Sequence, residues 1–235
     1  MTSKDMLSRR QIADAALADW RKLGQGLHAR YLAHDFAAGA RFTAAVGAVC
    51  DEATHYPRVS IGPGYVDLKL VSDDAIYRSD DGTEYTVEWV TQQDVDLARR
   101  IAEVAAEHGL VADPSAVSHV ELGLDTTDSA KIAPVWAALL TGDPSSRGRG
   151  TPSDEIRDAG GRVPNLWFGD GTDEQHRFHL EVYVAPEVAA QRIAAAVAAG
   201  GTVVDDSESP GVTVIADQVG NRGVLCVAAT PPEGD

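Results

Sequence analysis

The spacing of apolar and polar residues changes period several times along the chain, and each change marks an element. In "LSRRQIADAALADW" (residues 7–20) Ile12, Ala16 and Leu17 recur with helical spacing, and Ser8 with Gln11 has the spacing of a capping box. This predicts a first helix, ended by Gly24 and Gly26. "LHARYLA" (27–33) reads as a strand, with a turn near His34-Asp35. "FAAGARFTAAVGAVCDEA" (36–53) is a long amphipathic helix whose Phe36, Phe42, Val46 and Val49 face a core. Pro57 closes that segment, and "YVDLKLV" (65–71) alternates as a strand. "YTVEWVT" (85–91) is predicted to be its hairpin partner across "RSDDGTE", where Asp81-Gly82 is a strong turn signal. A helix follows, capped by Thr91 and stopped by Gly109.

The pattern changes near residues 110–115, where a domain boundary is expected. "VSHVELGLD" (117–125) reads as a strand, "SAKIAPVWAALLTG" (129–142) as a helix, and "RVPNLWFGDG" (162–171) as the end of a strand region. The order then repeats, with "RFHLEVYVA" (177–185) as a strand and "EVAAQRIAAAVAAGG" (187–201) as a helix. "TVVDD", "GVTVIAD" and "GVLCVAA" are predicted strands. "SHVELGL" (118–124) and "FHLEVYV" (178–184) share His-apolar-Glu-apolar at the start of matching units, the mark of an internal duplication. "SSRGRGTPSD" (145–154) reads as an exposed loop inside the first copy.

Composition narrows the function classes. The chain has 235 residues, room for one large or two ordinary domains, and its 44% hydrophobic content supports packed cores. A formal charge of −16 repels nucleic-acid phosphates and anionic membrane surfaces. Cys50 and Cys226 stand far apart and outside any CxxC pattern, so neither a disulfide framework nor a zinc finger is indicated. "MTSKDMLSRRQ" lacks the apolar core of a secretory signal, and no run approaches the roughly 20 apolar residues of a membrane span. A cytoplasmic location is expected.

One stretch concentrates chemistry. "CDEATHYPRV" (50–59) sets Asp51, His55, Tyr56 and Pro57 close together. Histidine titrates near neutrality, at about pH 6.5 when unperturbed, and suits either half of an acid/base pair. If the helix runs on through this stretch, Asp51 and His55 share a face one turn apart. The plain alternative is a histidine favoured by the C-terminal dipole of its helix.

With Trp20, Leu27, Phe36, Phe42 and the His-x-Pro turn, residues 7–108 resemble pterin-4a-carbinolamine dehydratase. The resemblance implies an α-β-β-α-β-β-α plan with helices on one face of an antiparallel sheet. It implies elimination of water from a 4a-hydroxytetrahydropterin, without metal or other cofactor, and a small pterin as the bound partner. The family signature is an acid, three intervening residues and His-His-Pro, with a third histidine after the next strand. Asp51, His55 and Pro57 fill their places; Tyr56 stands for the second histidine, and the third falls near Asp73, before an apparent insertion "AIYRSDDGTEY". The implied catalytic set is therefore His55, Asp51, Tyr56 and Asp73, with Pro57 and Trp89 contacting substrate. A homo-oligomer is left open.

The duplicated second half resembles a glyoxalase-like domain of the vicinal-oxygen-chelate superfamily, two βαβββ modules forming a cup. The expected class is thus α+β, with domains at 1–112 and 115–235. His119 and His179 fall where that superfamily places first-strand metal ligands, while the closing strands "NLWF" and "GVLCV" carry no glutamate, Val224 or Cys226 standing about where the second module's carboxylate would fall. Residues two apart on a strand share a face, so His119 with Glu121 and His179 with Glu181 are the donors a metal would use. The expectation is a site without metal. Two other readings remain open: a two-domain small-molecule binding protein, and a metal-dependent lyase or dioxygenase in the cup.

Overall fold

The computed structural model describes residues 4–146, 155–158, 160–170 and 177–227. Backbone contacts divide the chain between Val117 and Ser118 into two compact units of mixed α+β structure. The Ser/Gly-rich stretch expected as a loop lies, from residue 147 on, outside the described residues.

The first unit opens with helix α1 (Arg9–Asp14), where Ser8 and Gln11 form the capping box, Gln11 N donating to Ser8 Oγ at 3.2 Å and Ser8 N to Gln11 Oε1 at 2.8 Å. The helix is shorter than expected. Ala16 takes a positive φ of 50°, which breaks the helical path and swings Trp20 into the core, its indole donating to the Ala98 carbonyl at 3.2 Å. Strand β1 (Arg21–Leu23) follows, so Gly24 is a hairpin residue and no helix stop: its φ of 51° supplies the turn into β2 (Gly26–Leu32).

Helix α2 (Phe36–Ala53) has the predicted bounds, capped by Asp35, whose carboxylate accepts from Ala38 N at 2.7 Å. Phe42, Val46 and Cys50 are buried in register, but Phe36, expected in the core, is 60% exposed at the first helical position. Strands β3 (Arg58–Gly62) and β4 (Tyr65–Leu70) form a hairpin, and with the first pair they make an antiparallel sheet in the order β1-β2-β4-β3. Gly39 lets α2 lie close on this sheet: a Cβ there would stand 3.0 Å from Val66 Cγ2. Tyr31 and Phe42 meet edge to face at 5.2 Å in the centre of the core.

The hairpin partner expected for β4 is not β6. Strand β5 (Ser72–Arg78) begins one residue after β4 and pairs with β6 (Glu84–Trp89), while β4 lies between β2 and β3. The Asp81-Gly82 turn is where the sequence puts it, but it joins β5 to β6. A bulge between Ser72 and Ala75 sets Asp73 and Asp74 off the ladder. Helix α3 (Gln92–Glu107) then packs its stripe of Val95, Leu97, Ala98, Ile101 and Ala105 on the core. Strand β7 (Val111–Ala112) returns to the edge of β2.

The second unit is built from β8 (Ser118–Asp125), α4 (Ser129–Thr141), β9 (Glu155–Ile156) and β10 (Leu166–Gly169), then β11 (Phe178–Val184), α5 (Pro186–Ala198), β12 (Thr202–Asp205), β13 (Val212–Ala216) and β14 (Arg222–Val227). The second copy is a complete βαβββ module; among the described residues the first has two strands after its helix. One sheet in the order β12-β13-β14-β11-β8-β10-β9 carries both. β8 and β11 run antiparallel at its centre, and each has the closing strand of its own copy parallel beside it. Leu124, Leu166 and Phe168 face α4, whose Ala133 and Ala137 are fully buried.

Candidate functional site

The end of α2 aims His55. Thr54 adopts the left-handed conformation (φ 52°, ψ 32°), so the helix stops one residue short of the histidine. The imidazole turns toward the start of α3, where its Nε2 lies 2.8 Å from Asp94 Oδ1. Asp94 is fully buried, and its other oxygen accepts from Ser72 Oγ at 2.8 Å, Thr91 N at 2.7 Å and Thr91 Oγ1 at 3.0 Å. A buried carboxylate with this many donors is both satisfied and immobile.

That bond favours the protonated form of His55. The hydrogen bond to Asp94 holds the imidazolium above histidine's ordinary pKa; burial opposes it, and the charges of Asp94, Asp74 and Asp73 add to the rise. The side chain keeps 15% of its surface exposed, and Nδ1 has no hydrogen-bond partner among the described residues. When protonated, an imidazole fixed through one nitrogen offers the other as a proton donor.

The other expected site residues are placed differently. Asp51 does not reach His55, because the helix ends between them; it accepts instead from the Tyr56 hydroxyl at 3.3 Å. Tyr56 is 59% exposed. Asp73, exposed in the bulge of β5, makes no hydrogen bond to His55 and acts on it through charge. Its neighbour Asp74 pairs with Lys4 at 2.6 Å. Pro57 is half-buried beside His55. The Trp89 indole donates to the Leu7 carbonyl at 2.8 Å, and Lys22 Nζ sits 3.8 Å from its ring centroid. The backbone pairs Trp89 with Ser72, one link from Asp94.

Asp94 is the residue that sequence reasoning missed, although a signal for it exists. It falls on the apolar stripe of α3, three, four and seven residues before Leu97, Ala98 and Ile101. A carboxylate on a buried stripe needs a partner, and here the partner is His55, 39 residues earlier.

In the second unit the register of β8 with β11 sets the geometry. Glu121 lies directly opposite Glu181, His119 opposite Tyr183, and His179 opposite Gly123. All six share the sheet face away from α4. Tyr183 donates to Glu181 at 2.7 Å, and His119 Nε2 lies 3.3 Å from Glu121. Burial raises the Glu181 pKa, the Tyr183 bond lowers it, and the charge of Glu121 raises it again. Burial, Glu181 and Glu121 push the Cys226 thiol up to about 12. His179 lies over Gly123, where a Cβ would come within 2.3 Å of Nε2. The two histidines sit at opposite ends of the carboxylate pair, four residues apart in register, or about 13 Å along the strand. Among the described residues no group of three or more His, Cys, Asp or Glu is arranged to hold a metal ion, so His119, His179, Glu121 and Glu181 do not converge as one ligand set.

The chain is a two-domain protein of mixed α+β structure. The family model for pterin 4 alpha carbinolamine dehydratase matches residues 5–104, and that for a glyoxalase-like domain matches residues 121–227. Residues 5–104 are therefore a pterin-4a-carbinolamine dehydratase domain, and residues 121–227 a glyoxalase-like domain. A Halobacterium salinarum protein named "Putative pterin-4-alpha-carbinolamine dehydratase" is 29% identical over 96 residues, 41% of this chain and 92% of its own length. A protein of the same name from Natronomonas pharaonis is 29% identical over 101 residues, 43% of this chain and 97% of its own. A crystal structure described as a transcriptional coactivator/pterin dehydratase from Brucella melitensis aligns with 43% of this chain and 99% of its own, at 20% identity and a TM-score of 0.35. Among the described residues no helix is long and apolar enough to cross a membrane.

Proposed function

We propose that the first domain eliminates water from a 4a-hydroxytetrahydropterin to give the quinonoid dihydropterin, with His55 as general acid. The observation that carries this is the His55–Asp94 bond, which favours the protonated imidazole while leaving Nδ1 unpartnered among the described residues. In the reaction the C4a–oxygen bond breaks as the Nδ1 proton passes to the departing hydroxyl. A ring N–H proton leaves to a second acceptor, and Asp73, exposed and within electrostatic reach of His55, is the carboxylate best suited to take it. Asp94 touches no reacting atom in this scheme; it positions His55 and stabilises its charge. Tyr56 supplies a phenol where the family signature has an imidazole, and Pro57 with Trp89 contacts the pterin.

The test follows quinonoid dihydropterin formation by absorbance under one buffer condition for wild type, His55→Ala and Tyr56→Phe. Wild type is expected to exceed the uncatalysed rate, His55→Ala to fall to it, and Tyr56→Phe to lose less than tenfold. A second reading, a pterin-binding protein without turnover, draws on the exposed Tyr56 in the second histidine's place. A wild type that binds a pterin yet matches the uncatalysed rate would leave that reading standing and end the first.

We further propose that the two domains fold separately. Fragments 1–117 and 118–235, cut after the β7 edge strand and where the contacts divide, are each expected to give one cooperative urea transition. A fragment 1–117 with no transition would count against it.

A further inference from the structure

The two copies of the duplicated module treat their helices differently. α4 turns Ile132, Trp136 and Leu140 toward the sheet and closes a packed core with Leu124, Leu166 and Phe168. α5 buries none of its residues. Between α5 and β11, β13 and β14 lies an open cavity of about 490 Å³, within the range of about 300–1,000 Å³ that small organic ligands occupy. Leu180, Ile215 and Leu225 form its floor, and Ala196 and Ala199 its roof. Leu180 is left 50% exposed, in the middle of a strand. Small roof residues over a branched apolar floor leave space that α4 fills with its own large side chains.

One charged group marks the roof. Arg192, one helical turn before Ala196, lines the cavity, and no acidic side chain pairs with it among the described residues. Exposed and without an acidic partner among the described residues, the guanidinium can receive an anion at the mouth of the cavity. Asp217, on the rim, is already engaged by Asn221 Nδ2 at 2.8 Å and by the amides of Val219 and Asn221 at 2.9 Å. This cavity lies on the face opposite the Glu121–Glu181 row, so it is a separate site.

We propose that the cavity under α5 binds an apolar monocarboxylic acid, its chain or ring on Leu180, Ile215 and Leu225 and its carboxylate on Arg192. The apolar lining supplies affinity through burial, and the guanidinium supplies selection for an anion of planar, two-oxygen geometry.

The full chain is titrated calorimetrically with decanoate, 2-naphthoate, 1-decanol and acetate. One decanoate or naphthoate per chain is expected, the preference between them separating aliphatic from aromatic sources. Decanol and acetate should each bind at least about tenfold more weakly, since one lacks the charge and the other the apolar body. Arg192→Ala should weaken decanoate about tenfold, and Arg192→Lys, a point charge without the planar fork, should recover only part of that loss. Ala199→Trp, at an exposed roof position, should abolish binding with the circular dichroism unchanged. Absence of saturable binding of either acid, decanol binding as tightly as decanoate, or indifference to either Arg192→Ala or Ala199→Trp would overturn the proposal. So would a dimer, seen by sedimentation, that Ala199→Trp dissociates, because the face would then be covered by a second copy.

Discussion

Each domain sets histidines among buried carboxylates, with opposite electrostatic outcomes. In the first, one carboxylate, Asp94, accepts hydrogen bonds from Ser72 and from Thr91 twice, and its bond and charge favour the protonated form of His55. In the second, two carboxylates face each other across neighbouring strands, and burial, with the charge of Glu121 added to it, works against ionisation of Glu181. A carboxylate hydrogen-bonded to an imidazole raises the proton affinity of that histidine, whereas a carboxylate buried beside a second carboxylate has its own proton affinity raised.

The sharpest way to break this contrast is to remove Asp94. Asp94→Ala strips His55 of its partner and leaves Ser72 and Thr91 donors unpaired in a buried site. The expected cost is about 3–5 kcal/mol of unfolding free energy, read from urea denaturation. A loss under about 1 kcal/mol would mean that Asp94 is not the hub described above.

A smaller effect concerns pH. His55 has a folded pKa above the unfolded value of about 6.5, so its contribution to stability is fully present below pH 6.5 and is lost as pH rises through the folded value. NMR titration should place the His55 midpoint above 6.5 in wild type and lower in Asp94→Asn. Equal midpoints in the two proteins would remove the carboxylate from the account of the shift.

The smallest expected effect lies in the second domain. Glu181 also binds its proton more tightly when folded, so its ionisation penalises the folded state as pH climbs above the ordinary carboxylate range. Glu181→Gln should therefore raise the melting temperature of this domain at pH 7 and leave it nearly unchanged at pH 4. A lower melting temperature at pH 7 would show that the Tyr183–Glu181 bond outweighs the repulsion.

Much of the fold was legible because its long elements have strong periods. The bounds of α2 follow from eighteen residues of helical spacing between Asp35 and Thr54, and α3 from its Thr91 cap. The misses are short or unpunctuated. β1 has three residues, and its apolar Leu23 continues a plausible helical run. β4 passes into β5 through Val71 with no glycine or proline to mark the change, so the sequence pattern hides β5 as the partner of β6. The site was half legible. His55 stands out by composition, but Asp51 matches it only on an unbroken helix, and one left-handed residue cancels that. In the second domain the alternation put His119 with Glu121 and His179 with Glu181 on one face. Antiparallel register, invisible in either strand alone, drives the two histidines apart.

Asp94 also holds the amide of Thr91, so one carboxylate both caps α3 and carries the proton balance of His55. Helix position and acidity are thereby geared together. Sliding or tilting the first turn of α3 by an ångström would lengthen a 2.8 Å contact into one too long for a hydrogen bond, and the imidazolium would become a stronger acid. Displacement of α3 would therefore register as a change in how readily His55 gives up its proton.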